Sequence, residues 1–372
     1  LRFFAVFFAA FALNSEVLME ENTKQPWIKT AVYDSVFILL PPFLAMVVVG
    51  LLPERFRHSA DMPVMSWVLL VLFVDVAHVY STLYNTYFDK ARFERRKKLL
   101  ITIPIMCFLV GFVLHLFGGI VFWRALAYVA VFHFIRQQYG FMRIYTRNEP
   151  KHNLTTVMDT LVIYSATLYP LIYWHCTPGR NFNWFVNNDF ISGSSENVKF
   201  YAGIIYLLIL TVYVINELFR LLKTGNFNLP KNVLITGTAV SWYLGIVWFN
   251  GDLAFTMLNV VSHGIPYMAL VWQGISKTRS EGAVKTAPPV WRLSSMWYGV
   301  LVFLGSLFLL AYLEEGLWDG FVWHEHLGVF RIFNWLPHVN NDFLLAFLVP
   351  LLSLPQSTHY MLDAFIWRKR YA

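Results

Sequence analysis

The chain has 372 residues, of which 57% are hydrophobic, 18% aromatic and only 14% charged, with a formal net charge of +7. Soluble domains carry roughly 25% charged residues, so this composition excludes an ordinary soluble fold and points to an integral membrane protein. In such a chain a basic balance marks loops on the cytoplasmic face, and it gives no support to nucleic-acid binding.

The opening stretch, "LRFFAVFFAAFALNSEVL", stays apolar for only about 13 residues, short of the ~20 needed to span a bilayer. It reads as an interfacial helix, a trimmed signal-like segment or sequence upstream of a start at Met19. Residues 1–31 are therefore set apart as an N-terminal segment. From residue 32 onward, apolar runs of about 18 to 22 residues recur to the end. Spanning helices satisfy their own backbone hydrogen bonds, and the alternation of a lipid-facing β-barrel is absent.

The expected fold is therefore all-α: a polytopic membrane protein with about ten transmembrane helices in one domain over residues 32–372. The spans fall near 32–52, 65–84, 99–117, 120–142, 154–176, 199–219, 233–249, 253–272, 296–313 and 343–367. Gly118-Gly119 and "NGD" mark two tight connections. The aromatic, amphipathic stretch 314–342 is expected to form an extracytoplasmic interfacial helix or cap.

Lys and Arg concentrate in alternate connections: 90–98, 143–151, 220–231, 277–292 and 368–370. By the positive-inside rule both termini are expected in the cytoplasm, with the chain in a bacterial inner membrane or another cytoplasm-facing membrane. Cys107 and Cys176 are the sole cysteines, which leaves disulfide and zinc-ribbon readings unsupported.

Eleven histidines are present. His58, His152, His175, His324, His326 and His338 fall in loops or at span ends, and His115 lies near the outer end of its span, where interfacial solvation accounts for them. His78, His133, His263 and His359 lie inside spans that run in one direction. They precede the basic residues Lys90, Arg143, Lys277 and Arg368 by 12, 10, 14 and 9 residues, which at 1.5 Å per residue sets them in one layer roughly 14 to 21 Å deep.

Each of the four has polar company at helical spacing. Asp75 precedes His78 by three residues, Gln137 follows His133 by four, Asn259 and Tyr267 flank His263 by four on either side, and Asp363 follows His359 by four. Ionisable residues within a membrane usually face the bundle interior and mark function. Four imidazoles and two carboxylates at one depth form a ligand inventory for one or two metal ions. "DVAH" has the carboxylate-histidine spacing used in helix-bundle metal sites. Imidazole suits iron, copper and zinc, and mixed histidine-carboxylate sets with open positions suit non-haem iron.

The expected metal ligands are thus His78, His133, His263 and His359, with Asp75 and Asp363 as further ligands or as carboxylates orienting imidazoles. Gln137, Gln138, Arg136 and Asn259 are candidates for supporting a bound cofactor, and Tyr139, Tyr267 and Tyr360 for proton-transfer roles. Asp34, Asp159, Asn216 and Glu217, near helix ends, read as capping or solvated groups. Pro266 and Pro355, within four residues of a layer histidine, are expected to kink helices and present a ligand.

The function these features favour is a membrane-embedded metalloenzyme: a non-haem iron, oxygen-dependent oxidoreductase acting on a lipid or another apolar substrate, with a redox partner on the cytoplasmic side. Three alternatives use the same residues. A subunit binding haem b would use two histidine pairs, a zinc-dependent lipid hydrolase a metal-activated water, and a proton-coupled transporter the carboxylates and histidines as a relay. The HxxxH and HxxHH boxes of membrane desaturases are missing, as are HExxH, GxSxG, P-loop and Rossmann fingerprints.

Overall fold

A computed structural model describes residues 25–149, 154–280 and 298–366, the side chains of 276–280 excepted. Residues 1–24 and the basic positions Lys151, Lys285, Arg292, Arg368, Lys369 and Arg370 lie outside them, as do Met19 and His152. The described chain is helical throughout, with no strand among the described residues.

We number the helices α1 (Ala31–Leu39), α2 (Pro41–Leu51), α3 (Val64–Asn85), α4 (Lys90–Leu116), α5 (Gly119–Tyr145), α6 (Leu154–His175), α7 (Glu196–Thr224), α8 (Leu229–Trp242), α9 (Asp252–Ser280), α10 (Gly299–Trp323), α11 (Asp342–Leu352) and α12 (Leu354–Ile366). Local chemistry sets many of the ends. The side chains of Thr30, Asp89, Asn228 and Asn341 accept backbone N–H bonds at the starts of α1, α4, α8 and α11. At Gly118, φ is 131°, which lets α4 turn into α5 without a Cβ clash.

Helix occurs in every predicted span, but three spans differ in detail. Asp89 caps α4 early, so the basic run 90–98 is helical and joins the apolar part through a kink at Arg96 (φ −121°, ψ 16°). α10 continues ten residues past the predicted end at 313, because Glu314, Trp318 and Asp319 are buried along it. The predicted amphipathic segment therefore begins as the end of that helix. It continues as loop with one 3₁₀ turn at Arg331–Phe333, anchored by the fully buried Phe330. The last predicted span is two helices that meet at Ser353. Pro355 has no N–H to give the Leu351 carbonyl and sits at the second position of α12, where none is needed.

Six helices are long and apolar enough to cross a membrane (α3, α4, α5, α7, α9 and α10), and the α1–α2 pair, bent by 46°, makes a seventh if counted as one span. α6, α8 and the α11–α12 pair fall short of that measure, so among the described residues length and composition support six or seven of the ten expected spans.

The connections gather into two groups. In one, the Asn181 side chain donates to the His58 carbonyl, its backbone N–H donates to Asn250 Oδ1, and the Asp252 N–H donates to the Ser59 carbonyl. In the other, Arg147 donates to the carbonyls of Pro26 and Trp27, and Asn228 to that of Tyr145.

α9 is the central helix: 78% of its apolar window is buried, against 11% for α7. It packs on α2, α3 and α8 and touches α5, while α12 packs on α5 and α3. Gly264 permits a close approach of α9 to α3, since a Cβ there would lie 2.9 Å from both the carbonyl oxygen and Cγ1 of Val74.

One polar cluster departs from expectation. Asp159 and Glu217 are not solvated end groups: both are buried, each with a carboxylate oxygen 3.0 Å from the Nζ of the fully buried Lys231, which ties α6, α7 and α8 together. Asp34 is also buried and caps no helix: it lies within α1 and accepts from the N–H groups of Ile28 and Lys29 in the segment before it.

Candidate metal centre

The four layer histidines come from four helices, α3, α5, α9 and α12, and all are buried, at 1%, 4%, 0% and 1% exposure for His78, His133, His263 and His359. A run of π-helix over Val68–Val76 ends just before His78. Such wide turns are frequent at functional sites because they shift the register of the side chains that follow. The imidazoles meet edge to face: His263 Nε2 lies 3.1 Å from His78 Nε2 and 3.2 Å from His133 Nε2, and His359 Nε2 lies 3.1 Å from His133 Nε2. One ligand atom from each residue falls within 4.8 Å of all the others, so the group could hold a metal ion.

The opposite ring nitrogens decide what those Nε2 atoms carry. His78 Nδ1 is 3.3 Å from the Val74 carbonyl, which can only accept, and 3.7 Å from Asp75 Oδ1. His133 Nδ1 is 3.5 Å from Asp363 Oδ2. His359 Nδ1 is 2.6 Å from Thr82 Oγ1, Thr82 Oγ1 is 2.9 Å from Tyr267 Oη, and Tyr267 O–H donates to Asp363 Oδ1 at 2.6 Å.

With the tyrosine proton committed to Asp363, the Thr82 hydroxyl donates to Tyr267 and accepts from His359 Nδ1–H. A neutral imidazole has one N–H, so His78, His133 and His359 each present a bare Nε2 lone pair to the centre. Lone pairs 3.1 Å apart in an apolar interior repel. A cation between them converts the repulsion into ligation, and the partners that hold Nδ1–H are those that orient metal-bound histidines.

His263 is held differently. Its ring stacks on Phe134, with centroids 3.5 Å apart and planes 7° from parallel, and its Nδ1 is buried without a hydrogen-bond partner. Asn259, one turn earlier on α9, donates to the Phe255 carbonyl and leaves its buried Oδ1 unpaired.

The remaining candidates distribute around this core. Tyr360 lies beside His133, ring centroids 5.1 Å apart, and Tyr267 beside His359 at 5.0 Å. Gln137 donates to the His263 carbonyl and Gln138 to that of Ser262, so both clamp α5 to α9 through backbone. Arg136 is exposed, bonded to Tyr164 Oη and placed over the Tyr139 ring, apart from the quartet. Pro266 lies inside α9, and Pro355 in the first turn of α12.

Thr82 was not among the expected residues, although it follows His78 by four positions and so shares its face. Glu315 and Asp319, which line the adjoining cavity, were missed because the predicted span stopped at 313.

A cavity of about 630 Å³ adjoins the quartet. Its wall includes Asp75, Phe134, Asn259 and Gln356, each from a helix that carries one of the histidines and within four residues of it. Trp184 and Phe185 also line it. The loop bearing them is pinned by Asp189, whose Oδ2 accepts from the N–H groups of Trp184, Phe185 and Val186 at 2.9, 2.5 and 3.1 Å. Burial pushes the Asp189 carboxyl above its ordinary pKa, against the downward pull of these bonds. No family model, curated protein or solved structure matches the chain.

Proposed function

We propose that this protein is a membrane-embedded metalloenzyme, a non-haem iron, oxygen-dependent oxidoreductase acting on an apolar substrate drawn from the lipid phase. The observation that carries the reading is the convergence of four buried imidazoles, three of which have Nδ1 partners that leave an Nε2 lone pair facing the others. His78, His133, His263 and His359 would hold the metal, Asp363 and Thr82 would fix imidazole orientation, and Asp75 would stand between metal and cavity. A bound iron would supply the oxygen and one-electron chemistry.

Several features favour this over the alternatives. Mixed histidine and carboxylate sets with open positions suit non-haem iron, and Asp75 and Asp363 stand beside His78 and His133. A bis-histidine haem needs its two axial nitrogens about 4 Å apart on either side of a broad ring, a slot that these interlocked imidazoles do not offer. The cavity beside the quartet suits a substrate-binding enzyme. Electrons would come from a redox partner on the basic, cytoplasmic side.

Metal analysis of the purified protein combined with absorption and Mössbauer spectra tests the proposal. About one iron per chain, no Soret band and loss of the iron in His78→Ala and His359→Ala are expected. Zinc as the bound metal redirects the reading to a hydrolase, and a protein that takes up no metal ends it.

A further inference from the structure

The cavity is walled by carboxylates and indoles in an unusual balance. Asp75, Asp252, Glu315, Asp319 and Glu325 line it, and no lysine or arginine does among the described residues. Trp123, Trp318 and Trp323 stand with their ring centroids 5.6 to 5.7 Å from one another along the same wall. Indole faces attract cations, and uncompensated carboxylates beside a membrane interior are costly.

Acidic lining alone does not define a ligand; two unpaired acceptors narrow the choice. Asp319 is 2% exposed, and its Oδ1 is used by the N–H groups of Glu325 and His326, yet its Oδ2 has no partner. Asn259, also 2% exposed, is another lining residue, and its Oδ1 is buried and unpaired. Both are acceptors, so the missing group must donate. A quaternary ammonium brings charge without N–H, and an alcohol brings one donor without charge. A primary ammonium brings the charge and three donors together.

We propose that the cavity binds the primary ammonium head of an amphiphilic amine, with its alkyl chain along the aromatic wall. Binding of the amine is independent of the metal. That the amine is the substrate rests on the oxidoreductase reading, since Asp75 and Asn259 belong to both the cavity wall and the histidine helices.

The test is equilibrium binding of radiolabelled dodecylamine to the full chain in an uncharged detergent, before and after chelator treatment, with dodecanol, dodecanoate and dodecyltrimethylammonium as competitors. Dodecylamine should compete at least about tenfold better than each of the others. Glu315→Gln and Asp319→Asn should each weaken its binding by a similar factor while leaving dodecanol competition and the melting temperature unchanged. Equal competition by dodecanol or by the quaternary amine, or unchanged amine affinity in both variants, overturns the proposal. An iron-loaded protein without amine preference sinks only this inference, and amine preference in a protein that takes up no metal sinks only the metal reading.

Discussion

A histidine offers either a proton or a lone pair at Nε2, and in this interior the choice rests with residues that never reach the centre. Thr82 is the sharpest case. It accepts from His359 Nδ1 and passes its own proton to Tyr267, whose hydroxyl completes the path to Asp363 and so to His133. Thr82→Val keeps the shape and removes the hydroxyl, which frees His359 to place its proton on Nε2. We expect metal retention against a graded chelator to fall about 10- to 100-fold, the range for lost partners of ligand histidines. Thr82→Ser should restore it. Equal losses in Val and Ser variants would show that packing of the methyl, and not the hydroxyl, matters. The four histidines and Asp363 were legible because an ionisable side chain inside an apolar run stands out. Thr82 and the Tyr267 link were not, because a hydroxyl is unremarkable in a membrane helix and its partners lie 185 and 277 residues away.

Among the elements, the α3–α9 contact brings His78 and His263 together. Gly264 sits next to His263 and faces Val74, whose carbonyl in turn accepts from His78 Nδ1. One methyl group at this position meets backbone, which cannot move aside as a flexible side chain can. Gly264→Ala is therefore expected to push α9 away from α3, to cost roughly 1–3 kcal/mol by overpacking and to lower metal content. Gly305→Ala on α10, where nothing lies within 4 Å of the added Cβ, is the control. Thermal melting in detergent together with metal content checks the pair, and matching behaviour of the two variants would rule out close packing as the cause. The positions of most helices could be read from hydrophobic runs, whereas the extension of α10 could not. Its last turns carry Glu315 and Asp319, so hydropathy ends the span where the wall of a polar cavity continues it. The break at Ser353 was similarly masked, since Pro355 reads equally well as a kink or as the start of a new helix.

For the whole molecule, the two groups of connections give the cavity a direction. Its lining includes Asn183 and Asn187 from the connection after α6, Asp252 at the start of α9 and Glu325 from the connection after α10. These belong to the parity that is poor in lysine and arginine, while Arg143, Arg147, Arg220 and Lys223 mark the opposite end. With the orientation expected from the positive-inside rule, the proposed cavity opening lies away from the cytoplasm and the basic face is left to the proposed electron donor. In a variant with Cys107 and Cys176 replaced by alanine, a cysteine introduced at Asn187 should react with a membrane-impermeant maleimide on intact cells, and one introduced at Lys223 only after lysis. The reverse pattern would invert the orientation and place cavity access on the cytoplasmic side. Long-chain amines should not protect a cysteine at Lys223, but they should slow labelling of cysteines at Asn187 and Glu325, which both line the cavity, if the opening through which the reagent enters is also the path taken by the ligand.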